Sequence, residues 1–318
     1  MILQFAKIPP PIGGISIHVK RLLDSLEKEP RIKAEVLDYS KEKNLFDILR
    51  KIFNSKIIHI HLSKKKHRLF MVCLFKVLFK KVIVTYHGKY DFENNLDILS
   101  LRLCDAAIVL NQFSYNHALK KLAKHNKIYQ IGAFIPPQEN SITPLIFTLK
   151  ERIVLLKKKC EIIFSANASG YVLDSFGKEI YMGSELLNFF GDNKNLGLIF
   201  SDPSGAYANF FIENNIEVPG NVLIINESHD FVNVLKYSDA LIRATTMDGD
   251  SLSVKEALYY GLPVFASDVV DRPDGVILFS ELYELSNKLN ALKNPLPKVL
   301  PENNYNAILK LYKSILKN

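Results

Sequence analysis

Apolar runs of four to six residues recur from Ile2 to Phe279, and amphipathic segments separate many of them. Such runs suit a buried strand, whereas apolar residues recurring every three or four positions form the stripe of a packed helix. Ile2–Ala6 is followed by Pro9–Pro11, then Gly13-Gly14, then a helical stripe of Ile15, Val19, Leu22, Leu23 and Leu26. Ala34–Tyr39, Ile57–Leu62, Val82–Tyr86 and Ala106–Leu110 read as further strands of the first half. The second half repeats the rhythm with Ile162–Ala166, Leu198–Ser201, Val222–Asn226, Ala240–Arg243, Val264–Ala266 and Val276–Phe279. Its helices are expected around 183–190, 205–214, 229–236, 251–260 and 281–291. Strands with helices between them build βαβ units around a parallel sheet, so the chain is predicted to be α/β with two similar domains. The stretch from Ile135-Pro136-Pro137 to about Leu149 is expected to connect them. Pro295-Leu296-Pro297 and Pro301 break the chain before a last amphipathic helix, Tyr305–Leu316. The domains expected are 1–140 and 141–300, with a terminal helix in 301–318.

The 318 residues are too many for one small core. At 48% hydrophobic and 23% charged, the composition excludes disordered, collagen-like and coiled-coil chains. The net charge of +8 conceals an asymmetry: residues 1–158 hold 28 Lys+Arg against 13 Asp+Glu, and residues 159–318 hold 13 against 20. A +15 half therefore precedes a −7 half, which points to an anionic partner for the first. Cys73, Cys104 and Cys160 are widely spaced and odd in number, which argues against a disulfide framework or zinc ribbon. The N-terminal MILQFAKIPPPIGG lacks the basic lead-in and apolar length of a signal peptide or anchor. The longest apolar run, Leu69 to Phe75, is far short of the roughly 20 residues that span a bilayer. The expected location is the cytoplasm, or the inner face of the cell membrane as a peripheral protein.

Asp248 to Asp268, DGDSLSVKEALYYGLPVFASD, carries the densest chemistry. A strand leads into a polar loop and then into a helix ended by Gly261, which suits a left-handed cap, with Pro263 beyond. The loop Asp248-Gly249-Asp250-Ser251 is thus placed at a strand's carboxyl end and a helix N-terminus, where open α/β sheets bind ligands and free N–H groups attract phosphate. Glu256 reads either as a ligand group or as the far half of a capping box, Ser253-x-x-Glu256. Asp248 and Asp250 read either as ligand groups or as ordinary helix-start acids.

This segment resembles the signature of retaining GT-B glycosyltransferases, in particular glycosyltransferase family 4. In that signature an acidic residue and a Gly-containing loop lead to a Glu eight positions on, then A-x-x-x-G-x-P-V-x-A-S. The matching residues are Asp248, Glu256, Ala257, Gly261, Pro263, Val264, Ala266 and Ser267. Tyr237-Ser238-Asp239-Ala240 is similar to the segment that precedes it, and Gly13-Gly14-Ile15-Ser16-Ile17-His18-Val19 to the family's G-G-x-x-x-H-V. Val84-Thr85-Tyr86-His87-Gly88 is similar to its strand-end His, while His18 is read as packing. The resemblance implies two Rossmann-like domains facing a cleft (GT-B), the C-terminal helix packing back toward the first domain. It also implies a metal-independent hexosyltransferase without a cofactor, moving a sugar from a nucleotide-sugar donor (UDP-sugar first), and the basic first half points to a lipid-linked or glycan acceptor in surface-polysaccharide or glycoconjugate synthesis. Glu256 would hold the ribose, Asp248 the sugar hydroxyls, and His87 would face the donor sugar. Gly249, Asp250, Ser251 and Leu252 would orient sugar and phosphate by their N–H groups, and Gly13 and Gly14 would let the backbone approach the diphosphate.

Three departures bear on this reading. Asp248 stands where the family has Glu, and the loop glycine is Gly249, with Ser251 at its usual place. Where the family places an Arg and a Lys on the diphosphate, this chain reads Ser165-Ala166-Asn167-Ala168-Ser169 and Tyr181-Met182-Gly183. Arg243, with Lys178, is expected to supply the missing charge, or Arg243 is a salt-bridged residue. Asp248-x-Asp250 also spells the D-x-D of metal-dependent GT-A enzymes, a weaker match for a two-domain chain. A non-catalytic GT-B-like subunit and a nucleotide-sugar epimerase are the alternatives to the transferase. Finally, Lys64-Lys65-Lys66-His67-Arg68 and the apolar run to Lys81 read as a crossover helix whose basic ends attract anionic lipid. No nucleic-acid-binding module is evident.

Overall fold

All five residues of Ile2–Ala6 (β1) are buried, and only a central strand covered on both faces can hold such a run. In the computed structural model, which describes residues 1–122, 127–292 and 299–317, β1 lies inside a parallel sheet with Ala34–Asp38 (β2), Ile57–Ile60 (β3), Lys81–Tyr86 (β4), Ala106–Val109 (β5) and Ile128–Gln130 (β6). The order is β2-β1-β3-β4-β5-β6, and the register places Gln4 opposite His59. The helices between these strands are Gly14–Leu26 (α1), Leu45–Asn54 (α2), Lys65–Val77 (α3), Asn95–Leu103 (α4) and Gln112–Lys121 (α5).

A second sheet contains Ile162–Asn167 (β7), Leu196–Ser201 (β8), Val222–Ile225 (β9), Ala240–Arg243 (β10), Val264–Ser267 (β11) and Val276–Phe279 (β12), ordered β12-β11-β10-β7-β8-β9 and again parallel. Its helices are Phe147–Lys159 (α6), Gly183–Asp192 (α7), Ala206–Glu213 (α8), Phe231–Leu235 (α9), Leu252–Tyr259 (α10) and Leu285–Lys288 (α11). The chain divides into two compact units, Met1–Ile135 with Asn303–Asn318, and Pro136–Glu302. The last helix, Tyr305–Lys317 (α12), thus belongs to the first unit. It buries Ile308, Leu311 and Tyr312, and the Tyr312 hydroxyl accepts from Gln4 Nε2 at 2.9 Å.

Several expected boundaries shift for physical reasons. The connector expected as far as Leu149 is already helical from Phe147, because Leu149, Ile153 and Leu156 pack on Ile163, Ile199 and Leu223. β6 is three residues long and buries only Ile128, too little to leave a periodic signal. The helix expected over 281–291 is broken into α11 and two 3₁₀ turns, Leu282–Glu284 and Leu289–Leu292. Pro295-Leu296-Pro297 lies outside the described residues. Arg68, read with the basic run, is fully buried: it is paired with Asp97, donates to Leu62 O at 2.9 Å, and stacks on Tyr86 at 4.7 Å. It is therefore part of the core.

Candidate functional site

In the second sheet β7 continues on one side to β8, while β10 pairs on its other side. Where the winding direction reverses, the connecting loops at the strands' carboxyl ends leave in opposite directions and open a crevice. Arg243 ends β10 and Asn167 ends β7 at that place. Arg243 Nη1 donates to Asn167 O at 3.1 Å, and its guanidinium lies over the Tyr181 ring at 5.2 Å. Asp248, in the loop after β10, accepts from Arg243 Nε at 3.0 Å and from Nη2 at 3.1 Å. A third partner comes from the loop after β11: Arg272 Nη1 donates to Asp248 at 2.7 Å, and its Nε donates to Ser267 O at 3.1 Å. The ends of β7, β10 and β11 are thereby joined through Asn167, Arg243, Asp248, Arg272 and Ser267.

Burial by itself would raise the Asp248 carboxyl, but Arg243 and Arg272 beside it hold it well below the usual carboxylate range. The Asp248 pair keeps Arg243 charged despite its burial. Two guanidiniums face one carboxylate here, leaving an excess of one positive charge in this group. The Arg272 side chain is 3% exposed, and its Nη2 has no hydrogen-bond partner among the described residues.

Beyond Asp248 the loop runs to Ser251, the N-cap of α10, whose side chain makes no capping bond. Ser251 Oγ instead lies 3.1 Å from Ser253 Oγ. The capping box Ser253-x-x-Glu256 does not form, because the helix starts at Leu252 and places Ser253 inside its first turn. Glu256 is buried on α10. Of the four expected backbone donors, the Gly249 N–H is already taken by Asp248 Oδ1 at 2.9 Å. Asp250 is paired with Lys255 of the following helix. The two carboxylates of the D-x-D are thus each neutralised by the protein's own cations. Lys178 is exposed on a turn closed by Asp174 N–H donating to Lys178 O at 2.8 Å. The hydrogen bonds that assemble the cluster do not include it.

The first unit has its own polar edge. Its winding reverses between β1 and β3, so the loop carrying Gly13 and Gly14 and the residues after β3 and β4 meet at the same sheet edge. Gly14 opens α1, and Gly13 N–H donates to Ser16 Oγ at 3.1 Å. A Cβ built on Gly13 would meet nothing within 4 Å, so no contact inside the protein demands glycine there. After β3 and β4 come His61 and His87, with rings 5.2 Å apart. His18 and His59 join them: the His18 ring is 5.4 Å from His87, and His59 is 4.1 Å from His61. His18 Nδ1 donates to Ala133 O at 2.7 Å, consistent with its reading as a packed residue.

One hydrogen-bonded chain sets the protons of this cluster. Gln4 Nε2 donates to the Tyr312 hydroxyl, whose own proton goes to His59 Nδ1 at 2.6 Å, leaving His59 Nε2 to donate to Thr85 Oγ1 at 2.7 Å. Gln4 Oε1 accepts from His61 Nε2 at 2.9 Å, so His61 Nδ1 accepts from His87 Nε2, also at 2.9 Å. A neutral His87 therefore has its lone pair on Nδ1. Burial, reinforced by the neighbouring imidazoles, pushes His59, His61 and His87 well below the ordinary imidazole range.

Arg272, Gln4, His61 and Tyr312 escaped the sequence reading. Arg272 stands in an unpatterned loop and left no signal. His59-x-His61 did leave one, since residues two apart on a strand face the same side.

No family model and no curated protein matches this chain. Solved structures do. Anabaena HepE in complex with UDP-glucose is similar with a TM-score of 0.63 at 12% identity, covering 100% of this chain and 98% of that one. The UDP-GlcNAc 2-epimerase of Methanocaldococcus jannaschii, in complex with UDP-GlcNAc and UDP, gives 0.59 at 13%, covering 99% and 100%. The lipopolysaccharide outer core galactosyltransferase WaaB gives 0.53 at 14%, covering 92% and 89%. Such likeness establishes the fold: two Rossmann-like domains of the kind these enzymes share.

Proposed function

We propose that this chain is a glycosyltransferase using a nucleotide-sugar donor, with UDP as the first nucleotide to test, and that it retains the configuration of the transferred sugar as glycosyltransferase family 4 does. The carrying observation is the cluster at the β7/β10 reversal, where Arg243 and Arg272 share Asp248 next to the uncapped N-terminus of α10. A leaving diphosphate needs fixed positive charge and aimed donors. The excess guanidinium and the N–H groups of Ser251 and Leu252 at the start of α10 offer both. Arg272 takes the place that the sequence reading left to Lys178. The similarity to structures holding UDP-glucose, UDP-GlcNAc and UDP supports the donor class.

In this reading Glu256 holds the ribose, Asp248 orients sugar hydroxyls, and Gly249 and Asp250 shape the loop around them. The bond from the anomeric carbon to the phosphate oxygen breaks as the acceptor oxygen bonds on the same face. The departing phosphate takes the acceptor's proton, so no protein nucleophile is needed. Catalysis is then orientation and charge stabilisation. The ligand roles of Gly13, Gly14 and His87 belong to the same proposal, as does a lipid-linked or glycan acceptor in surface-polysaccharide synthesis. With Asp248 and Asp250 both bonded to protein cations, no metal enters the scheme.

The second reading is a nucleotide-sugar epimerase, favoured by the similarity to a UDP-GlcNAc 2-epimerase at full coverage of both chains to within 1%. Incubating the protein with UDP-GlcNAc or UDP-glucose alone, and following the products by proton NMR, separates the two. An epimerised sugar without acceptor identifies the epimerase. Transfer only when a glycan acceptor is added identifies the transferase. Failure of UDP and UDP-sugars to shift the thermal midpoint, with Glu256→Ala and Arg272→Ala behaving like the parent, would exclude both.

A further inference from the structure

Residues 41–81 contain 12 Lys+Arg and 2 Asp+Glu, a net +10 that exceeds the +8 of the whole chain. This segment forms α2, β3, α3 and the turn into β4. Both helices belong to crossovers running in the same direction along the sheet, which places them on one face. Ile52 of α2 and Val72 and Phe75 of α3 enter the same core cluster. Lys80, in the turn after α3, donates to Phe53 O at the end of α2 at 2.9 Å and lies over the Phe53 ring at 5.9 Å. The two helix ends are therefore stitched together.

Away from the core, each helix keeps a second apolar stripe that stays largely exposed. Phe46 and Phe53, seven apart on α2, are 74% and 61% exposed. Phe70 and Val77, seven apart on α3, are 62% and 73% exposed. Scattered exposed apolar residues are ordinary, but two parallel stripes rimmed by exposed Lys43, Lys56, Lys64, Lys66 and Lys81 are not.

Phe79 supplies an independent observation. Phe79 N–H donates to Lys76 O and Lys80 N–H to Phe75 O, the two bonds of a Schellman cap, in which the residue after the helix is left-handed and usually glycine. Here that residue is phenylalanine, with φ of 55°, and its side chain is 96% exposed. A bulky residue in this region is strained, and within the protein Phe79 gains no packing in return.

We propose that α2, α3 and the Phe79 turn form a surface that docks on an anionic phospholipid bilayer, with Phe46, Phe53, Phe70, Val77 and Phe79 entering the headgroup boundary and the lysines meeting lipid phosphates. The charge selects this occupant over a second copy, since a symmetric contact would bring the exposed lysines of two copies together. The exposed aliphatic side chains of Leu45, Leu49, Leu74 and Val77 on the same two helices select it over a nucleic acid, whose bases stack on aromatic faces. The proposal deepens the membrane reading of the basic helix by adding α2 and aromatic insertion, and it is independent of the chemistry proposed for the second unit.

The test is flotation of the full chain with vesicles of phosphatidylcholine, alone or with about one-third phosphatidylglycerol. Binding is expected only to the anionic vesicles and weakens with salt. Phe79→Gly removes an inserted ring and relieves the cap, so it should lower vesicle affinity about tenfold while leaving the thermal midpoint equal to or above the parent's. Phe70→Ser should weaken binding similarly. No binding by the parent, unchanged binding of both variants, dimers in solution that Phe70→Ser dissociates, or preferential capture of single-stranded RNA would each overturn the proposal. UDP-glucose affinity, measured without vesicles, reads the donor proposal separately and should not change in Phe79→Gly.

Discussion

Arg243 and Asp248, five residues apart at the end of β10, are joined by two hydrogen bonds, Nε to Oδ2 at 3.0 Å and Nη2 to Oδ1 at 3.1 Å. The cation expected to meet a phosphate and the carboxylate expected to meet a sugar are thus each other's partners. Arg272 shares that carboxylate from another strand end. Asp248 consequently holds together three loops as well as facing the proposed ligand.

Replacing Asp248 by alanine leaves two buried guanidiniums without their acid. Loss of one member of a buried ion pair costs about 3–5 kcal/mol, so Asp248→Ala should unfold at markedly lower urea concentration than the parent. A carboxylate that served a sugar alone would leave the urea midpoint unchanged. The two outcomes are read from one denaturation curve.

Gly183, at the start of α7, has no room for a side chain: a Cβ there would sit 2.2 Å from Cε1 of the buried Tyr207 ring. Overpacking of this kind costs about 1–3 kcal/mol, so Gly183→Ala should be destabilised by that amount. The double variant Gly183→Ala/Tyr207→Leu, which removes the opposing ring edge, should show less than the sum of the two single effects.

Tyr312→Phe deletes the hydroxyl that accepts from Gln4 and donates to His59. Both partners then stay buried with an unmet group, at a cost of about 1–3 kcal/mol. Gln4 is also released to turn its amide, and with it the proton order through His61 to His87. Nitrogen-15 NMR should therefore show a changed tautomer mixture at His87, an effect that starts from one bond between residues 308 positions apart. An unchanged His87 spectrum would mean that the chain of bonds does not set its protons.

The clustered histidines also make stability depend on pH. His59, His61 and His87 have lowered values in the folded chain, whereas in the unfolded chain they protonate near the ordinary value of about 6.5. As the pH falls below that value the unfolded state binds more protons, so stability drops, by up to about 1.4 kcal/mol per pH unit for each histidine that stays neutral. Above it neither state is charged and these groups give no slope. Asp248 behaves differently: its stabilisation is present above the ordinary carboxylate value and is lost only as the pH falls through its depressed one. Urea midpoints from pH 8 to 5 should fall at the acidic end, and a flat profile would contradict neutral burial of the histidines.

The order of strands and helices was legible because each fully buried strand must be a short apolar run and each crossover helix must carry a stripe. Ala240–Arg243 and Val276–Phe279 appear with the bounds expected of them. The segment Asp248 to Leu252 was legible as a strand-end loop before a helix because Gly261 and Pro263 mark where that helix stops. Arg272 was not, since an arginine in a loop has no periodicity and its importance comes only from the 2.7 Å bond to Asp248. Arg68 was misread for a related reason. Within a run of lysines it looks solvated, and only the fold supplies the buried Asp97 that pairs it.

What the amino-acid sequence determined by itself was local: element type, the α/β class, the charge asymmetry, and the glycine and proline punctuation around the polar loop. These follow from backbone sterics and from burial patterns read within a few residues. The tertiary structure alone decided which polar groups are partnered. It joined Gln4 to Tyr312, Arg243 to Arg272 through one carboxylate, and four histidines into one cluster. It also left Phe79 outward in a strained cap. Hydrogen bonds and ion pairs act over about 3 Å in space whatever the separation in sequence, so their partners are set by the return of distant strands to one sheet edge.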